Sequence, residues 1–285
     1  MQYLILSIFF SSFIFVIFKL FARFQVQTLV AIIVNYVVAC LVGLLFYNGK
    51  VDTLSIPAKT WFWGAMLLGI LFILVFNLMA ATSQKLGVSV ASVATKMSFV
   101  LPAILGVFLY QEELDAIKII GIVLAIFAVY LASMKQSKGA FTPSMLLLPF
   151  MVFLGSGIID ASIKYFQEGH VPETEFALFS ALVFFFAGTN GLLFILFKAL
   201  QQPIKIKLKD ILGGIALGVP NFFSIYFLLL ALGYNGLSSA SLFTANNVGI
   251  VLLSTLLGIT LFKEKLNLKN WVGIGLAVLS IILVL

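Results

Sequence analysis

The sequence predicts an all-α integral membrane protein of ten transmembrane helices, built as two inverted five-helix repeats. Three observations carry that prediction. Of the 285 residues, 62% are hydrophobic and only 9% charged, and the mean hydropathy of +1.20 is far above what the surface of a water-soluble globule tolerates. Hydrophobic windows of about 20 residues recur between short polar breaks, the length that crosses about 30 Å of hydrocarbon. A long segment near the middle of the chain returns near its end in the same register.

The first hydrophobic segment begins at Tyr3 with no Lys or Arg before it. It is longer than a signal-peptide core and is read as a retained span over residues 3–22. The next four spans are expected at 27–47, 61–82, 88–110 and 114–133. The second set follows at 144–165, 174–197, 211–232, 237–262 and 267–285. The breaks carry turn-forming residues: "YNGKVDT", "KQSKGAFTP", "QEGHVPETE", "KALQQPIKIKLKD" and "GYNG". Strands are excluded because the apolar runs lack a period of two and would leave sheet edges unpaired in lipid. Tyr47, Trp61, Trp63, Tyr110, Tyr165 and Trp271 fall near span ends, where an interfacial aromatic belt is expected. The single cysteine, Cys40, permits neither an intramolecular disulfide nor a thiolate metal cluster.

"LGVFLYQEELDAIKIIGIVLAIFAVYL" at 105–131 aligns without a gap on "LGITLFKEKLNLKNWVGIGLAVLSIIL" at 257–283, a constant shift of 152 that sets Glu112 on Glu264. Gly106 and Gly258, Gly121 and Gly273, and Ala125 and Ala277 are among the identical pairs. Greasy helices supply leucines by chance, but hardly a glutamate and two glycines in one register. With five spans per half, the second half enters the membrane from the opposite side, which makes the repeats inverted, an architecture of secondary transporters. The repeats are assigned to residues 1–134 and 142–285.

The proline-containing fourth span running into a glutamate, "LPAILGVFLYQEEL", and its partial echo "LLSTLLGITLFKEKL", each followed by a glycine-bearing helix, resemble the drug/metabolite transporter superfamily and within it the EamA-like proteins. That resemblance implies ten spans as two five-helix inverted repeats and the function of a solute carrier, or permease. The sequence departs from the pattern in two places: Ser254 stands where Pro102 does in the first half, and Lys96 is not a general feature.

Lys96 lies about 12 Å into the fourth span at 1.5 Å per residue. A charge near a helix centre costs from about 2.5 to over 10 kcal/mol unless it faces a polar cavity, a counter-charge or a lost proton. Asp160, in "GSGIIDASIKYF", is the acid well inside another span, and depth counting puts it roughly 12 Å beyond Lys96. Lys164, one turn on, then becomes its expected partner. Lys96 is therefore expected to bind an anionic group of a substrate, against the other reading of a structural ion pair or a snorkelling lysine. Asp160 is a candidate for proton coupling. The shift of 152 sets Thr244 opposite Ser92 and Asn247 opposite Thr95, so Ser92, Thr95, Thr244, Asn246 and Asn247 complete the expected substrate-binding set. Asn35, Asn77, Asn190 and Asn221 are expected to join helices. Pro102 and Pro220 are expected kinks with a gating role. Glu112 and Glu264 are expected to cap or pair locally with Lys118, Lys265 or Lys269, and His170 to be solvated in its loop.

These residues point to a secondary transporter that moves a small polar or amphipathic organic metabolite, with anionic compounds among the candidates, by alternating access across the cell membrane (inner or plasma membrane). The alternatives are a flippase for a lipid-linked headgroup, a channel and a non-transporting helical scaffold. No GxxxxGK[ST] loop, HExxH pair or GxSxG elbow occurs, so an enzyme is not expected, nor a metal or a cofactor. The expected partners are the lipid bilayer and a small-molecule substrate, with no nucleic acid, and the protein is expected to be a monomer or weak homodimer. For orientation, loops after odd-numbered spans hold Lys19, Arg23, Lys85, Lys135, Lys138, Lys198, Lys205, Lys207, Lys209, Lys263, Lys265 and Lys269. Loops after even-numbered spans hold only Lys50, Lys59, Lys118 and Lys164. This bias puts both termini outside the cytoplasm, whereas the resemblance implies both inside.

Overall fold

The computed structural model describes residues 2–47, 49, 55–110, 115–134, 144–201, 205–232 and 239–284. All the regular structure among them is helical: α1 (Gln2–Arg23), α2 (Thr28–Leu45), α3 (Phe62–Lys85), α4 (Val88–Lys96), α5 (Val100–Tyr110), α6 (Ala116–Ala132), α7 (Ser144–Gly169), α8 (Phe176–Gln201), α9 (Leu208–Leu232), α10 (Ser239–Phe262) and α11 (Leu268–Val284). Eight stretches are long and apolar enough to cross a membrane, and α6 and α11 are shorter apolar helices. Together they make the ten spans, α4 and α5 being two pieces of the fourth.

Local sequence sets the ends. Asp115 caps α6 by accepting from Lys118 N at 2.8 Å. Asn267 and Asn270 exchange side-chain oxygens for backbone N–H groups, both at 2.9 Å, a capping box that starts α11. The Asn270 amide also reaches Ala132 O and Met134 O at 2.8 Å and so covers the orphan carbonyls that end α6.

The two halves interleave. α2 packs against α8 and α9, α3 against α7 and α8, α1 against α9 and α10, and α6 against α11. Directions follow from the glycine contacts. Gly43 faces Ala181, Gly188 faces Tyr36 and Gly191 faces Ile33, so α2 and α8 run antiparallel. Gly121 meets Val284, and Gly273 meets Ala128 and Ala132, so α6 and α11 do too. Equivalent helices of inverted repeats must oppose each other in this way. In α9, a Cβ at Gly214 would lie 2.6 Å from Ala31 O and one at Gly218 2.9 Å from Asn35 O. Only glycine lets α9 approach α2 so closely.

Trp61 departs from the expected belt. It is 1% exposed and its indole N–H donates to Glu175 Oε2 at 3.0 Å, whereas Trp63 and Trp271 are 65% and 50% exposed. Position near a span end does not distinguish a ring facing lipid from one sealed under a loop.

Candidate functional site

The fourth span, expected to be continuous over 88–110, is broken at its middle. α4 ends at Lys96, a tight 3-10 turn covers Met97–Phe99, and α5 starts at Val100. Pro102 has no N–H for the Ser98 carbonyl, which loosens the helix one turn upstream. Three hydroxyls bond back onto the same stretch: Ser92 Oγ to Ser89 O at 3.0 Å, Thr95 Oγ1 to Ala91 O at 2.8 Å, and Ser98 Oγ to Thr95 O at 2.5 Å. Such back-bonding bends helices.

α4 lies centrally, packed on α1, α3, α6, α7 and α10. Lys96 is half-buried at its C-terminal end. Across from it on α7, Asp160 accepts a hydrogen bond from Ser98 Oγ at 2.8 Å, which places the carboxylate near the Lys96 end of α4. The depth count separated these groups by taking the fourth span as one straight helix level with α7. The turn at Met97–Phe99 and the reach from Ser98 bring the carboxylate back towards Lys96. The expected partner Lys164 has a side chain outside the described set. Asp160 itself is exposed on α7. α7 and α10 both pack on α4.

The other expected site residues divide. Thr95 is half-buried on α4, and Thr244 and Asn247 are half-buried on α10. Ser92 is fully buried. Asn246 is 2% exposed and accepts from Ser7 Oγ at 3.1 Å, an α1 to α10 joint. Asn35 accepts from Asn221 at 3.1 Å and so joins α2 to α9 as expected, whereas Asn77 and Asn190 donate one turn back to Ile73 O and Phe186 O of their own helices instead of joining two. Pro220 is buried inside α9 and Pro102 half-buried inside α5. Sequence reasoning missed Ser98, and also Ser156 and Thr255, whose buried hydroxyls have no hydrogen-bond partner among the described residues. Spacing carried a signal for Ser156, one turn before Asp160 on the same face of α7. None marked Thr255.

Glu264, expected to cap or pair locally with Lys118, Lys265 or Lys269, bonds far off in the chain instead. Its carboxylate crosses to α4 and accepts from Val88 N at 2.7 Å, Ser89 Oγ at 3.0 Å and Ser89 N at 3.4 Å. Glu112 lies outside the described residues. A second latch joins the loops at 55–61 and 170–175, where Lys59 Nζ lies 2.6 Å from Glu175 Oε1. The hydrogen bond from Lys59, helped by Trp61 N–H and the lysine's charge, holds the Glu175 carboxyl below its ordinary range against a smaller effect of burial. His170 is not merely solvated: its ring packs 4.6 Å from that of Tyr165, and its Nδ1 is buried without a hydrogen-bond partner among the described residues.

A sequence model of the EamA-like transporter family matches residues 1–134 and 143–285. The chain belongs to the EamA-like transporter family. A protein of Haemophilus influenzae described as uncharacterized is 30% identical over 211 residues, 73% of this chain and 69% of its own length. A crystal structure titled only as that of a protein superposes with a TM-score of 0.59 over 99% of this chain and 94% of that one, at 14% identity. So low an identity speaks for the fold alone. EamA-like proteins are membrane transporters of small molecules, not enzymes. With its ten apolar spans, this member is a multi-pass protein of the cell membrane, in contact with the bilayer and with a small-molecule substrate.

Proposed function

We propose that the protein is a secondary transporter for a small polar or amphipathic organic metabolite with a carboxylate or phosphate, working by alternating access. The observation that carries this reading is the placement of two opposite charges at the break of the fourth span, Lys96 ending α4 and Asp160 on α7 bonded to Ser98 at 2.8 Å. In the empty site the two charges balance. An incoming anion takes Lys96 as its partner and leaves Asp160 without a counter-cation, and a proton on Asp160 restores neutrality. The solute and the proton then cross together. Thr95, Thr244 and Asn247 supply neutral hydrogen bonds for orientation, while Ser92 and Asn246 hold the walls. The repeats 1–134 and 142–285 rock about this level, with Pro102 and Pro220 as flexible points. The working unit is a monomer or a weak homodimer.

The test uses purified protein in liposomes with an inward acid pulse and a panel of carboxylates, phosphate esters, amino acids and neutral sugars. Uptake of an anionic solute that rises with the proton gradient and vanishes in Lys96→Met supports the reading. Flux of neutral sugars alone, or of nothing in the panel, rejects it.

A further inference from the structure

We infer that Glu264 is a gate: its carboxylate closes one face of the transport path by holding the N-terminus of α4, and it lets go when the path opens on that face. The inference rests on the alternating-access reading above. It starts from how the carboxylate is seated. α10 ends at Phe262, Lys263 takes a left-handed φ of 53°, and Glu264 N returns to Gly258 O at 3.2 Å, so the side chain is fixed on the end of α10. Two glycines make room for it. A Cβ at Gly258 would lie 2.6 Å from Glu264 Oε2, and one at Gly87 2.8 Å from Oε1, with Gly87 also at φ 123°.

The carboxylate thus receives the first N–H groups of α4, where backbone donors and the helix dipole both favour an anion. The bond runs between repeats, from the end of the ninth span to the start of the fourth. The fourth span is also the one that can move in two pieces. α4 is a nine-residue segment between two fastenings, Glu264 at its start and the Ser98 to Asp160 bond just past its end. It carries Lys96 on its last turn. A solute that takes Lys96 from Asp160 acts on the hinge end of α4, and the other end yields only if Glu264 releases it. In the sequence, the shift of 152 that sets Glu112 on Glu264 also sets Ser241 on Ser89 and Gly106 on Gly258.

A static joint and a gate differ in whether the two segments ever separate. A Cβ at Gly258 would lie 3.1 Å from Ser89 Oγ and 2.6 Å from Glu264 Oε2, so cysteines at positions 89 and 258 displace the carboxylate and put a reducible disulfide across the same two segments. The experiment is Ser89→Cys/Gly258→Cys in a Cys40→Ala background, in liposomes, assayed oxidised and then reduced. A gate predicts that uptake is lost on oxidation and returns with reductant. Equal uptake in both states overturns the inference. If the Cys40→Ala protein with Ser89 and Gly258 intact moves no solute in the panel, it is the transporter reading that fails, and thiol reactivity then decides on the gate. Ser89→Cys is labelled with a soluble maleimide with and without Glu264→Gln. The Gln variant is expected to label about tenfold faster, the factor for losing a hydrogen bond to a charged group, and Glu264→Asp in between. Equal labelling rates in all three overturn the gate, and an unchanged melting temperature shows that faster labelling is not unfolding.

Discussion

Ser98 Oγ donates to Asp160 Oδ2 across 2.8 Å, and this bond fastens the 3-10 turn of the fourth span to the middle of α7. It sets the carboxylate beside a hinge, two residues from Lys96. Ser98→Ala is expected to remove the carboxylate's side-chain donor and to lower stability by about 1–3 kcal/mol. Thermal unfolding in detergent measures this. Ser98→Thr keeps the hydroxyl and should lose less.

Lys96 and Asp160 act on one another, so single and double replacements should not add. Lys96→Met strands a carboxylate inside the bundle, which typically costs about 3–5 kcal/mol where the pair is well buried. Lys96 is half-buried and Asp160 exposed, which brings the expected loss down to about 1 kcal/mol. Lys96→Met/Asp160→Asn should recover most of it, with a coupling of about 1 kcal/mol or more in a double-mutant cycle. Simple additivity would show that the charges do not communicate. Lys96→Arg keeps the charge but changes donor geometry and is expected to transport weakly.

The ten spans and the inversion were legible in the sequence because lipid leaves so few options: hydrophobic length fixes a span, and an odd span count per repeat fixes the inversion. Lys96 and Asp160 were legible because charge in an apolar run is costly. Their proximity was not, since counting residues from span starts assumes straight, level helices, and a three-residue turn at Met97–Phe99 depends on Pro102 and on back-bonded hydroxyls acting together. Asn246 and Trp61 were misplaced for a related reason. A periodic pattern says that a residue lies within or near a span, while its face is set by neighbours far off in the chain, Ser7 for one and Glu175 for the other. The reach of Glu264 to Val88 spans the two repeats and leaves no local trace.

Close packing of α9 on α2 yields a prediction about shape alone. A Cβ at Gly214 would sit 2.4 Å from Val34 Cβ and 2.6 Å from Ala31 O, so Gly214→Ala must push the helices apart. Overpacking of this kind costs about 1–3 kcal/mol. By contrast, a Cβ at Gly275 meets nothing within 4 Å, and Gly275→Ala removes a flexible residue from the middle of α11, so it should be neutral or gain up to about 1 kcal/mol. Melting temperatures of the two variants should therefore move in opposite directions or, at the least, differ clearly.

The latch at Lys59, Trp61 and Glu175 should make stability depend on pH in a definite direction. The Glu175 carboxyl titrates below its ordinary range because Lys59 and the Trp61 N–H stabilise the ionised form. A carboxylate whose folded pKa lies below its unfolded value contributes stability above the unfolded value, about 4.3 for glutamate. That contribution is lost as pH falls through the folded value. The side chains of Lys59 and Glu175 are 33% and 17% exposed, so solvent screening keeps the ion pair to about 0.5–1 kcal/mol. Glu175→Gln is therefore expected to melt below the wild type by a constant margin from pH 6 to 8. The margin should shrink as the pH drops below the ordinary glutamate value, because the wild type then loses the same interaction. A margin that stays constant down to the lowest pH at which the protein remains folded, or one that widens in acid, would mean that the ionised carboxylate does not hold these loops together.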